Sequence, residues 1–427
     1  MWRMRTALAA LALGVVAIGG SPQGGLAQAS SSAVPGAAKD VRELGAQLET
    51  IHPNLFRNIP KRRFHSEVNA LARRAPSLDP NQLLVGLMRI AALPGDRNGH
   101  TGLFPLHPHR RELHLYPLRL YDFVDGVYVV DDAGGSSLTG LKVIEVAGLP
   151  VEQVLARVRP LVPHDNESSL RALAPHYALV AEVLAGLGVI TGVGPVEFTF
   201  ERTSGERVEE ALTPIAGSAY AAEFADPLHG HNPSVLPQRA RPLYLAGAGR
   251  ELYVRKLAGG RVLYVGYNSA LASTFEFASV LERLARSHAV RGVVVDVRLN
   301  GGGNNQSYRS LYSVLASQQI NRPGRLYLLV GRATFSAAGN FAAEIDRYTR
   351  AVLVGEPTGG GVNQYGDATT ITLPATGWEV HVATSYVVRG TPNDRRLAIV
   401  PSRRVDLRAA EFLAGRDPVL AAALRGI

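Results

Sequence analysis

The segment RGVVVDVRL, residues 291–299, is apolar on successive residues instead of alternate ones. A strand with one solvated face alternates. A strand that is apolar on both faces must be covered on both, which is the condition of a parallel sheet layered with helices. The surrounding chain has the matching pattern. From about Leu252 onward, LYVRKL and GRVLYVGYN read as strands and Phe275 to Ala285 as a helix. RGVVVDVRL follows as a strand, SYRSLYSVLAS as a helix and GRLYLLVG as a strand. SAAGNFAAEIDRY is then a helix and AVLVGEP a strand. This order predicts an α/β domain over 246–427, with crossover connections between strands.

The 427 residues exceed one ordinary domain, so further units must precede this one. Residues 38–105 read as a small helical domain. Leu44, Leu48, Ile51 and Leu55 recur at helical spacing, as do Leu83, Leu84, Leu87 and Ile90. Residues 106–215 read as β-rich: YPLRLYDFV and GVYVVDD are separated by the turn Asp125-Gly126, and VEFTFERTSGERVEEALTP reads as a hairpin. LKVIEVAGLPVEQVLARV reads as strand, turn, strand, helix. Residues 216–245, rich in Ala, Pro and His, read as a linker.

Arg3 and Arg5 precede an apolar run from Ala7 to Ile18, and Ala27-Gln28-Ala29 supplies small residues where cleavage would occur. This is the layout of a signal peptide over 1–29, implying a periplasmic or extracellular mature chain that starts near Ser30. The run is shorter than the roughly 18 residues of a spanning helix, and no other span appears, so no integral membrane segment is expected after cleavage. The chain has no cysteine, which excludes disulfides, thiolate metal sites, a cysteine nucleophile and a lipoprotein anchor. Its net charge of +9 comes from scattered residues, almost all Arg, with no basic helix or nucleic-acid motif, so nucleic acid is not an expected partner. His107, His109 and His114 cluster, as do His229 and His231, without metal-site spacing or a clear carboxylate; neither a metal nor a cofactor is expected.

Two loops after buried strands carry the chemistry, because ligands of open α/β sheets sit beyond the carboxyl ends of the strands. The first is RLNGGGNNQS, where Gly301, Gly302 and Gly303 let backbone N–H groups approach a ligand closely. It lacks the lysine of a phosphate loop, which leaves an oxyanion hole or a tight turn. The second is GRATFSAAGNFA, where Ser336 stands at the junction of strand and helix. A serine there is a helix cap or a nucleophile whose oxyanion is stabilised by the free N–H groups of the helix start. A nucleophilic serine needs a base. The lysines are Lys39, Lys61, Lys142 and Lys256, and none follows Lys256 through the rest of the core, so histidine is the remaining choice. His381 lies in a strand and His288 near a helix end, whereas His100, in PGDRNGHTGLF, lies in a turn, where functional side chains are usually displayed.

The motifs RGVVVDVRLNGGGNN, GRATFSAAGNFA, AVLVGEPTGG and DRRLAIVPSRRVDL, in this order, resemble the C-terminal processing (tail-specific) peptidases in their tricorn-core branch. GDRNGHTG resembles the Asp-Gly-His-Thr stretch of that branch, and LTGLKVIEVAGLPVEQVL a piece of a PDZ-like domain. The resemblance implies an α/β ClpP/crotonase-like core with a PDZ-like β-rich middle domain, cleaving peptide or protein substrates. It implies Ser336 as nucleophile, His100 as general base and Asp394 as the acid orienting the imidazole. It further implies an oxyanion hole from the N–H of Ala337 and that of Gly302 or Gly303. Asn304, Thr334, Gly359 and Gly360 are the corresponding candidates for substrate contact. Two positions depart from the pattern. The lysine of the Ser–Lys branch would fall near Gly361, and Gly99 replaces the hydroxyl residue that precedes the histidine in tricorn-type sites. An inactive relative that binds peptides or apolar ligands, and an esterase with the same triad, are the alternative functions.

Overall fold

The computed structural model describes residues 33–105, 111–133, 138–224, 236 and 240–427. The segment read as a signal peptide lies outside the described residues, as do His107, His109, His229 and His231. Residues Ala33–Ile427 form one compact unit.

The doubly apolar segment forms the strand Gly292–Asp296, every residue of it buried. It lies inside a six-stranded sheet ordered 403–404, 352–355, 326–330, 292–296, 262–267, 252–257. All neighbours are parallel except the edge strand Leu252–Leu257, which runs antiparallel to Val262–Tyr267. The helices Phe275–Ala285, Arg309–Leu315 and Ser336–Tyr348 return the chain between strands. The mixed α/β architecture inferred from sequence is the one observed.

Upstream, the helices Ala37–Ile51, Lys61–Arg74 and Pro80–Ala92 occupy the region read as helical. An antiparallel sheet follows in the order 118–123, 126–132, 142–146, 196–201, 207–212. Two features differ from the sequence reading. The β-rich region also contains the helices Glu167–Tyr177 and Ala181–Gly186. Pro175 sits inside the first of these, near its C-terminal end, and masks its pattern. The stretch read as a linker begins with regular structure: Ile215–Ala216 pairs with His114–Leu115, and the helix Gly217–Glu223 buries Tyr220.

The element that brings the upstream region to the sheet is a hairpin, Asn363–Thr372 with Glu379–Val388. The buried Asp40 carboxylate holds its tip, accepting from Ala375 N at 3.0 Å, Thr376 N at 2.7 Å and the Thr376 hydroxyl at 2.7 Å. At its other flank, Gly102 and His381 exchange both backbone hydrogen bonds at 2.9 Å, and Ala383 N donates to the Thr101 hydroxyl at 3.0 Å. The turn that carries His100 is thereby stitched to a strand almost 300 residues away in sequence.

Candidate active site

Ser336 opens the helix Ser336–Tyr348, which follows the strand Leu326–Val330. Its φ is +51°, a left-handed conformation that is strained for any residue except glycine. The strain turns the side chain out of the strand-to-helix corner, toward the helix start with its unsatisfied N–H groups and positive dipole end.

Gly302 faces this corner with φ +117°. A Cβ there would lie 2.5 Å from Ser336 Cβ and 3.1 Å from both Ser336 Oγ and Ala337 N, so only glycine fits. Asn300, fully buried, sets the loop. Its Oδ1 accepts from Gly302 N at 3.0 Å, its Nδ2 donates to the Tyr267 carbonyl at 3.0 Å, and its own carbonyl accepts from Phe335 N at 3.2 Å. One residue, through its side chain and its carbonyl, thus joins the glycine loop, the Ser336 loop and the end of strand Val262–Tyr267. Because the Gly302 N–H is occupied by Asn300, Gly303 is the better of the two candidate oxyanion donors. Replacing Gly302 by Ala is expected to abolish labelling of Ser336 by a fluorophosphonate. The added methyl displaces the corner and burdens a φ that L-residues avoid. Unchanged labelling of the purified variant would exclude the role given to this loop.

His100 Nε2 lies 3.0 Å from Ser336 Oγ. The ring stacks on Phe335 with centroids 4.6 Å apart and planes 23° apart. Burial pushes its pKa down to about 4, against the Tyr365 backbone and the Asp367 charge, which favour the imidazolium. No carboxylate reaches its buried Nδ1, and the backbone hydrogen bond to the ring comes from Tyr365. Gly99 is small because the Phe335 ring occupies the adjacent space: a Cβ would meet it at 2.9 Å.

The acid inferred from the family pattern is not brought to this ring. Asp394 pairs with Arg396, two residues on, with Oδ2 2.9 Å from Nη2, and that guanidinium holds its carboxyl below the usual carboxylate range. Glu356 is likewise engaged, by Arg332 at 2.6 Å and by the Tyr121 hydroxyl at 3.2 Å. Asp367 acts on His100 only through its field; its Oδ2 accepts from the Ser385 hydroxyl at 2.7 Å.

Ser336, His100, Gly302 and Gly303 line one cavity of about 630 Å³, whose walls include Phe104, Leu173 and Leu271. The four residues inferred to touch substrate lie outside that lining. Thr334 is buried, its hydroxyl donating to the Val297 carbonyl at 2.9 Å and accepting from Gly331 N at 3.1 Å. Asn304 caps an exposed turn, accepting from Gln306 N at 2.8 Å. Gly359 and Gly360 are buried behind the nucleophile loop, with Gly360 N donating to the Thr334 carbonyl at 2.9 Å. Their smallness serves close backbone packing. His114, from the histidine cluster, binds Glu182 at 2.7 Å. Among the described residues no group of three or more His, Asp or Glu side chains is placed to hold a metal ion. Nor is any helix among them long and apolar enough to cross a membrane.

A serine at a strained strand-to-helix corner, faced by a histidine and a glycine loop at the carboxyl ends of parallel strands, is the arrangement that serine hydrolases of α/β type use. Residues 305–393, which include Ser336, match the profile of peptidase family S41. Over those residues the chain is similar to this family of serine-type, C-terminal processing peptidases. Its fold is shared with mature CPAF complexed with lactacystin, at 14% identity and TM-score 0.62, over 91% of this chain and 97% of the other. A second structure of mature CPAF matches at 14% identity and TM-score 0.60, over 89% and 94%. The photosystem II D1 C-terminal processing protease aligns over 90% of this chain and 99% of its own, at 16% identity and TM-score 0.42, too distant to add to the fold argument. No curated protein sequence matches the chain.

Proposed function

We propose that the chain is an exported peptidase that hydrolyses peptide bonds through a Ser336 acyl-enzyme with His100 as general base. The observation that carries this reading is the 3.0 Å contact between His100 Nε2 and Ser336 Oγ, made across 236 residues of chain. In the acylation step Ser336 Oγ attacks the peptide carbonyl while its proton passes to Nε2. The oxyanion is received by the N–H groups of Ala337 and Gly303, and the proton then goes to the departing amine. Water, activated by the same nitrogen, releases the acyl group. Export rests on the charged, apolar and small-residue order of residues 1–29.

Without a carboxylate on Nδ1 the site is a Ser–His pair. The missing carboxylate is also what favours the alternative of a binding protein with a decayed site. Reaction of the purified protein with a fluorophosphonate, followed by peptide mapping, separates the two. Modification at Ser336 supports the hydrolase, and an unmodified Ser336 supports the binding protein. Hydrolysis of short esters without cleavage of any peptide would move the assignment to an esterase.

A further inference from the structure

We propose that Asp165 is a positioning residue for the Ser336–His100 pair, tying the turn that carries the base to the loop that backs the nucleophile. The proposal rests on the hydrolase reading above.

Asp165 is fully buried, and its two carboxylate oxygens go to two different loops. Oδ1 accepts from Gly99 N, the residue before His100, at 2.8 Å. Oδ2 accepts from Gly361 N at 3.2 Å. The backbone around it reinforces both attachments. Arg97 N donates to the Asp165 carbonyl at 3.0 Å and Asn98 N to the His164 carbonyl at 3.1 Å. Asn166 Nδ2 reaches the carbonyls of Thr358 at 3.1 Å, Gly359 at 3.0 Å and Leu397 at 2.7 Å. The 358–361 loop in turn abuts the nucleophile: a Cβ on Gly360 would lie 3.4 Å from Ser336 N. Asp165 therefore spans the gap between the two reacting residues from behind.

The need for such a span follows from the ring itself. A general base of this kind is usually oriented by a carboxylate on its second nitrogen, and here no carboxylate reaches Nδ1. The orientation of His100 depends instead on the Tyr365 backbone, on the Phe335 face and on its own backbone, and the Gly99–Asp165 bond holds that backbone. Burying a carboxylate is costly, and here it is offset by the two buried N–H groups that it accepts from. Burial pushes the Asp165 carboxyl up to about 6, even though the Gly99 and Gly361 N–H groups and the nearby His164 and Arg97 all favour its charged form. Protonation removes one of its two acceptors, so the clamp slackens in mildly acidic solution.

The test compares the full-length mature protein with Asp165→Ala and Asp165→Asn. One readout is the rate of Ser336 labelling by a fluorophosphonate across pH 4–9. The other is the titration of the His100 ring by NMR, assigned with His100→Gln. The Ala variant is expected to label at least about tenfold more slowly at neutral pH, and its His100 ring to titrate closer to that of a free imidazole. The Asn variant keeps an acceptor for Gly99, so it should lose less and should lack the shallow step near pH 6. Should the Ala variant not fold, that missing step and the slower labelling of the Asn variant carry the test. A folded variant whose labelling rate and His100 titration both match the native protein would overturn the proposal. If the native protein is not labelled at Ser336, the hydrolase reading falls, and the His100 titration alone decides the role of Asp165.

Discussion

Replacing Ser336 by Ala is expected to lower kcat by on the order of 10⁶, the scale seen when a serine peptidase loses its nucleophile. The substitution removes Oγ and with it the only atom at this corner that can form the acyl-enzyme. Its structural cost is small. The lost hydrogen bond to His100 contributes about 1 kcal/mol, and the Cβ remains. Steady-state hydrolysis of a fluorogenic peptide and a thermal melt of the same sample check both halves. A further comparison isolates the strain. At φ +51°, Ala keeps the left-handed penalty that Ser carries, whereas Gly does not. Ser336→Gly should therefore be more stable than Ser336→Ala by about 1 kcal/mol, though equally inactive. Equal stability of the two variants would mean that the corner stores no strain, and retained turnover in either would remove Ser336 from the mechanism.

How much of this site could be read from the sequence depends on how local each signal was. The corner at Ser336 and the glycines at 301–303 each lie within one strand–loop–helix unit, so their residue types announce a close backbone approach. The choice of His100 came from the absence of late lysines together with the family resemblance, because nothing in a turn-borne histidine names a partner 236 residues away. Asp394 went astray for a local reason. Arg396 is two residues on and offers a chelating guanidinium, which outcompetes a distant imidazole. Thr334, Gly359 and Gly360 were misjudged because small residues near a site serve equally well to line a cavity or to let two backbones pack behind it. Sequence does not say which side of the loop faces substrate. Asn300 stands inside RLNGGGNNQS, but a lone asparagine beside three glycines carries no signal of the two loops that it joins. Asp165 carried no signal at all, since its partners Gly99 and Gly361 lie 66 and 196 residues away.

Hydrolysis is expected to persist well below the ordinary histidine range and to fail only as the pH approaches about 4. The reason is desolvation. His100 is packed against Phe335 and enclosed by the cavity wall, and the charged imidazolium is disfavoured there more than the neutral ring. A general base acts from its neutral form, so lowering its pKa extends activity toward acid. The groups that face the ring set the residual balance. Asp367 raises the pKa and His381 lowers it, so Asp367→Asn should move the acid limb further down. The same shift fixes the sign of its effect on stability. The folded pKa lies below the unfolded value of about 6.5, so the contribution of a neutral His100 is complete above that value. It is lost as the pH falls toward the folded pKa. Asp165 has the opposite sign: its contribution is present below the unfolded carboxylate value and is lost as the pH rises through about 6. A profile of kcat/KM against pH should therefore show a shallow step near 6 followed by a steep fall near 4. It should have no limb at the alkaline position of a lysine base, since the last lysine in the chain is Lys256. A steep acidic limb above pH 8 would exclude His100 as the base. A single steep limb near 6.5 would mean that water solvates the ring in the working enzyme and that the packing against Phe335 opens before the chemistry.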